Sequence, residues 1–146
     1  MPSRHSHPLI QEIDAGLDNL DPVFDAFAKA QRYKFSKSVD GDFNPPKRKL
    51  DRLPLRDDFH QVISLQVVGR DSTTNAPPPF GPGMPCTLTA FASGLAGDRW
   101  RCLRREIFSA LSFSEASSEL SRYLRAAHDQ LDEWTYERVV TEGGCE

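Results

Sequence analysis

The sequence predicts an α+β fold: a two-layer sandwich of an antiparallel sheet, with about four to five strands, packed by two N-terminal helices and one long C-terminal helix. Two observations predict it. Apolar residues recur at helical spacing near both ends of the chain, while the middle alternates or runs β-branched between turn signals. The length, 146 residues, suits one domain able to bury a core, and no internal repeat divides it.

At the N-terminal end Ile10, Ile13, Leu17 and Leu20 step by three and four, one face of an amphipathic helix. Asp21-Pro22 then supplies an N-cap and a proline at the first helical position. A second helix starts there, with Val23, Phe24, Phe27 and Ala30 as its apolar face, so two helices or one kinked helix occupy residues 8–32. From Tyr33 the stretch YKFSKSV alternates, and Asp40-Gly41 is a tight-turn signal. The prolines of FNPPKRKLDRLPL bar that stretch from a central strand, which leaves an edge strand or a loop. FHQVISLQVVG, residues 59–69, reads as a strand well inside a sheet.

A connection over residues 70–85 follows, and NAPPPFGPGMP within it holds five of the eleven prolines. Hairpin loops usually have two to five residues, so this one is long, and Phe80 and Met84 at its tip are costly if left in water. It lacks the arginine that flanks SH3 ligands, and a connector whose tip meets a partner is expected. CTLTAFASG is a second good strand, and LAGD reads as the hairpin into RWRCLRREIF, where Trp100, Cys102 and Phe108 are expected to share a face. Finally Ala116, Leu120, Leu124, Ala127, Leu131 and Trp134 form one stripe behind a Ser112–Glu115 capping box. They predict a single helix from about Phe113 to Arg138 whose leucines and Trp134 pack on Ile63, Leu65 and Phe91. Residues 1–146 form a single domain in this reading, with tails 1–7 and 141–146 disordered.

No apolar run approaches the roughly 20 residues of a membrane span, and MPSRHSHPLIQEID has no apolar core of a secretory signal. A cytoplasmic protein is expected. Three widely spaced cysteines without a C-x-x-C pair argue against a zinc site or a disulfide framework, and Cys86 and Cys102 read as buried thiols. The net charge of −3 is unevenly spread. Residues 1–28 carry five acids against Arg4, and residues 106–146 carry nine acids against three arginines. Residues 29–56 reverse this, with nine Lys or Arg against three Asp, and RWRCLRR adds four arginines.

Catalytic chemistry finds little support. His60, His128, Cys102, Asp129, Asp132 and Glu133 supply the types for a Cys-His-Asp set, but no spacing brings them together. His5 and His7 alone cannot complete a metal site, so neither a metal nor a cofactor is expected. GLAGDRW leads into a strand rather than a helix, unlike a phosphate-binding turn.

Two binding readings remain, beside the alternative of a small enzyme with an unrecognised site. In the first, the chain is a non-catalytic protein-binding module, an inhibitor that neutralises a larger, basic, toxin-like partner. Its class profile is similar to that of small inhibitors such as bacterial immunity proteins. Contacts are expected from Asp129, Asp132, Glu133, Tyr136 and Glu137 on the last helix and from Phe80 and Met84 in the proline loop, because hot spots mix charge with aromatic anchors. In the second, Lys47, Arg48, Lys49, Arg99, Trp100, Arg101 and Arg104 hold nucleic acid, basic groups beside an aromatic on which a base could stack. The overall sequence pI of about 5.8 and the absence of a known RNA-binding motif favour the first.

Overall fold

The structure, a computed structural model, describes residues 17–38, 47–67 and 85–144. Helix α1 (Asp21–Gln31) leads into strands β1 (Tyr33–Ser38), β2 (Lys47–Arg52), β3 (Phe59–Val67), β4 (Pro85–Ala96) and β5 (Arg99–Ser112), followed by α2 (Phe113–Glu133) and α3 (Tyr136–Glu142). The five strands form one antiparallel sheet in chain order. An α+β fold on an antiparallel sheet is therefore present, but its helices differ from expectation. Among the described residues one helix precedes the sheet and two follow it, in place of two and one. The residues expected to form the first helix lie mostly outside the described ones. Phe80 and Met84 lie outside them entirely.

Helix α1 begins with proline in its first turn and ends at Arg32, whose left-handed backbone (φ 65°) directs its N–H to the carbonyl of Ala28. Its Phe24 ring stacks on Phe35 of β1 at 5.5 Å, which fixes the helix over the first edge of the sheet. β2 lies between β1 and β3, not at an edge. The prolines at 45, 46 and 54 bracket it without interrupting its ladder, so the objection to a central strand falls.

One face of the sheet is the core. Leu50, Ile63, Leu65, Leu88, Ala90 and Ala92 point into it and are fully buried, as are Leu120, Leu124, Ala127 and Leu131 from α2. The inward residues of β4 shrink along the strand from Leu88 through Ala90 and Ala92 to Gly94. Small residues there let the helices approach. A Cβ on Gly94 would stand 3.0 Å from Val140 Cγ1 of α3. Phe91, expected in this core, is paired with Val62 and faces the other way.

The C-terminal helix is not continuous. It breaks at Trp134 and Thr135. Trp134 is buried, and Gln61 of β3 donates from Nε2 to the carbonyls of Leu131 (2.6 Å) and Trp134 (3.2 Å), satisfying acceptors freed at the end of α2. Thr135 then adopts an extended backbone and accepts from the Arg138 amide, the N-cap of α3. Of the tail expected to be disordered, residues 141–144 are described, and Thr141 and Glu142 close α3. Arg101 Nε donates to the Gly143 carbonyl at 2.8 Å, and the Gly144 amide donates to the Cys102 carbonyl at 3.2 Å. Any side chain at Gly143 would collide with the Cys102 backbone. Much of the arginine run thus lies on an edge strand, where charge discourages pairing with another chain.

A second irregularity sits in β5. Thr89 pairs with Glu106 but Leu88 with Phe108, so one extra residue reverses the side-chain alternation. Phe108 consequently turns inward onto Tyr123 (4.6 Å), whereas Trp100 and Cys102 stay on the outer face. The three do not share a face.

At the junction of α1, β1 and α2 the rings of Phe27, Tyr33 and His128 pack together, and the Tyr33 hydroxyl and His128 Nδ1 share a hydrogen bond of 2.7 Å. Burial lowers the His128 pKa, with Arg52 and Arg125 adding to this and Asp132 and Asp129 opposing it. The neutral ring is therefore the folded form. The unfolded chain, with histidine near its ordinary value of about 6.5, takes up a proton first as pH falls. The stability contributed by neutral His128 is present above that value and is lost as pH drops through the lower folded value. His128→Gln, whose amide can still accept from Tyr33, should flatten this part of the stability profile. Urea unfolding from pH 8 to pH 5 would show it, and parallel profiles for the two proteins would refute it.

Candidate functional site

The other face of the sheet carries the residues that alternate with the core. Among the described residues no helix covers it. Pairing registers place them in rows that cross the strands. One row runs Lys34, Asp51, Val62, Phe91, Arg104, with a cation at each end and an aliphatic–aromatic pair toward the middle. The next runs Ser36, Lys49, Ser64, Thr89, Glu106, and beside it Lys47 pairs with Gln66. Cross-strand neighbours are about 4.8 Å apart, so each row spans roughly 19 Å.

This face is concave. A depression of about 730 Å³ lies over it, floored by Val62, Ser64, Thr89 and Phe91 and rimmed by Lys34, Lys47, Lys49 and Arg104 together with Asp57 and Asp51, the latter 3.7 Å from the Lys49 ammonium. Leu55 and Arg56 from the connection between β2 and β3 form one wall. Of the large hydrophobics left exposed among the described residues, Leu55 (59%) lines the depression, Trp100 (41%) stands on the same face of the sheet, and Leu53 (40%) lies outside it. The Trp100 ring reaches over β4 and stacks on His60 at 5.1 Å with 25° between planes, so one face of the indole is braced by the imidazole and the other is left for a ligand. Thr89 is buried, and its hydroxyl has no hydrogen-bond partner among the described residues. A buried hydroxyl left unpaired costs about 1–3 kcal/mol. The floor thus combines an apolar surface, an orphan polar atom and a surrounding excess of positive charge.

Of the residues expected to hold nucleic acid, Lys47, Lys49, Trp100 and Arg104 come together on this face. Arg48 does not. It is fully buried on the helix side, with Nε donating to Asp21 at 2.7 Å and a terminal nitrogen to Asp18 at 2.8 Å. Arg101 points to the helix side and is tied to Gly143, and Arg99 lies exposed beside the β4–β5 turn. Sequence reasoning missed Lys34, Leu55, Thr89 and Phe91. The available signal was alternation: Val62 and Ser64 follow His60 at steps of two, and Phe91 sits between Thr89 and Ser93.

The residues expected to meet a protein partner scatter. Asp129, Glu133 and Glu137 are exposed. Asp132 is bonded to Arg52, with His128 Nε2 a further 3.7 Å away. Tyr136 is half-buried, donates to the Leu95 carbonyl at 2.5 Å and packs edge-on against Phe59. Because the helix breaks, Glu137 stands in the first turn of α3, where a carboxylate complements the helix dipole.

The considered catalytic set does not assemble. Cys102, read as a buried thiol, is disulfide-bonded. Cys86 is buried and outside any disulfide, and burial pushes its pKa up to about 12. His128 packs with the helices on the side of the sheet opposite Cys102. Disulfides persist in oxidising compartments, so cysteine usage no longer argues for the cytosol. No described helix is long and apolar enough to cross a membrane, and no cluster of metal-binding side chains occurs among the described residues. Comparisons of the chain with protein-family models, curated proteins and solved structures return no match.

Proposed function

We propose that this protein is a non-catalytic binding module that receives an anionic polymer across the open face of its sheet. The observation that carries this reading is the concave face itself, where exposed Leu55 and half-buried Phe91 stand among Lys34, Lys47, Lys49 and Arg104, with exposed Trp100 beside His60 on the same face. Exposed apolar groups inside a charged rim mark interaction surfaces, and five cations against Asp51 and Asp57 give this one a net positive field that steers an anionic partner. A second reading, an inhibitor that meets a basic partner through its last helices, is supported by the exposure of Asp129, Glu133 and Glu137.

Two charge-reversed variants separate them. One carries Lys47→Glu and Lys49→Glu, the other Asp129→Lys and Glu137→Lys. Each is immobilised beside the unaltered protein and exposed to a lysate of the source cells. The expected result is a component retained by the unaltered protein and by the helix variant but lost from the open-face variant. The reverse pattern would transfer the binding surface to the helices.

A further inference from the structure

The chemistry of the open face discriminates between anionic polymers. An acidic peptide would need the cations but not the flat aromatic surfaces between them. A nucleotide needs both, since its phosphate seeks Lys or Arg while its base stacks on an apolar face. Val62 and Phe91 provide one such face and the Trp100 ring, braced by His60, a second. Phe91 lies four residues along β4 from Leu95, the partner of Trp100, which separates their backbone positions by roughly 13 Å at about 3.3 Å per residue, and the indole leans back toward His60, opposite Ser93. Bases splayed from a single strand can occupy two such platforms, but bases paired in a duplex cannot reach them. Thr89 adds an independent pointer. Its buried hydroxyl lies on the floor beside the Phe91 platform without a partner, where the donors and acceptors of a base edge could meet it after a small side-chain adjustment.

We infer that the open face binds single-stranded nucleic acid, with bases on Phe91 and Trp100, the Thr89 hydroxyl hydrogen-bonded to a base edge, and phosphates held by Lys34, Lys47, Lys49 and Arg104. The inference rests on the open-face reading proposed above and names its ligand.

Fluorescence anisotropy on the full chain tests it, using labelled oligo-U and oligo-dT of about 12 nucleotides, within the span one binding fold covers. A hairpin duplex and polyglutamate serve as the other probes. At least one single strand should bind, and the duplex at least about tenfold more weakly. With four cations on the phosphates, the logarithm of affinity should fall with that of salt at a slope of about −2 to −3. Trp100→Ala, at an exposed position, should weaken binding about tenfold or more. Thr89→Val should also weaken it while leaving the thermal midpoint unchanged or raised, because it removes an unsatisfied hydroxyl. Equal affinity for strand and duplex, or full affinity after Trp100→Ala with circular dichroism unchanged, would overturn the inference. Binding of polyglutamate in place of the single strands would overturn it too while leaving the open face as the working surface. If no probe binds, the nucleic-acid assignment fails, and the lysate experiment with the open-face variant decides separately whether the face binds anything.

Discussion

Arg48→Ala should destabilise the fold by about 3 kcal/mol, the lower end of what removing one partner of a buried ion pair costs. Arg48 is fully buried and forks to Asp21 at 2.7 Å and to Asp18 at 2.8 Å, joining β2 to the start of α1. Alanine would leave a cavity where the guanidinium stood. It would also leave Asp21, only 18% exposed, with its main counter-charge gone. Two features hold the cost below the upper end. Asp18 is 52% exposed and can turn to water, and Lys37 remains 3.1 Å from Asp21 on the solvent side. Arg48→Lys should lose less, about 1–2 kcal/mol, because an ammonium cannot reproduce the two-pronged geometry. Urea denaturation reads both values, and a loss under 1 kcal/mol for Arg48→Ala would show that the pair contributes little. Affinity for a ligand of the open face should not change while the variant stays folded. That separates Arg48 from Lys47 and Lys49, its neighbours in sequence, which point to the opposite side.

The same three residues show what a sequence can and cannot disclose about such a site. KRK announces a basic patch, yet a strand sends alternate side chains to opposite faces, so the middle cation belongs to the core and the outer two to the surface. Strand periodicity was legible in Phe59–Val67 and Pro85–Ala96 because both mix β-branched and small residues between turn signals. Which parity faced the helices was not. Phe91 looked like core because it is aromatic, but Ala90, Ala92 and Gly94 are the inward set, chosen small to admit helices that bring their own bulk. In β5 one bulge separates Trp100 from Phe108, and no local residue preference reveals it. The break after Glu133 was hidden by an apolar stripe that continues through it, since Trp134 and Val139 are both buried without belonging to one helix. Thr135, which caps α3, is a local signal for it, but the Gln61 amide that satisfies the freed carbonyls is remote in sequence. Charge patterning likewise marked an acidic C-terminal region but could not tell that Asp132 is already engaged by Arg52.

Leu124→Ala should cost about 2–5 kcal/mol, the range for a buried leucine truncated without collapse of its surroundings. The sequence placed Leu124 on the inward stripe of the last helix, and the structure finds it fully buried, with Leu120, Ala127 and Leu131 on the same face of α2. Helix α2 lies against β4 and β5, where the inward residues Ala90 and Ala92 are small. Short side chains on a hydrogen-bonded strand cannot reach into the space that the lost isobutyl group leaves. Nor can the helix settle far, because its end is held by Gln61 and its side by the Arg105–Gln130 bond of 2.6 Å. The cavity should therefore persist and place the loss in the upper half of the range. Leu124→Met, which roughly conserves volume, should lose less than about 1.5 kcal/mol. Chemical denaturation of the two variants checks both numbers. If the alanine variant loses under 0.5 kcal/mol, the layer between α2 and β4 is not the tightly packed core that the positions of Ala90 and Ala92 require.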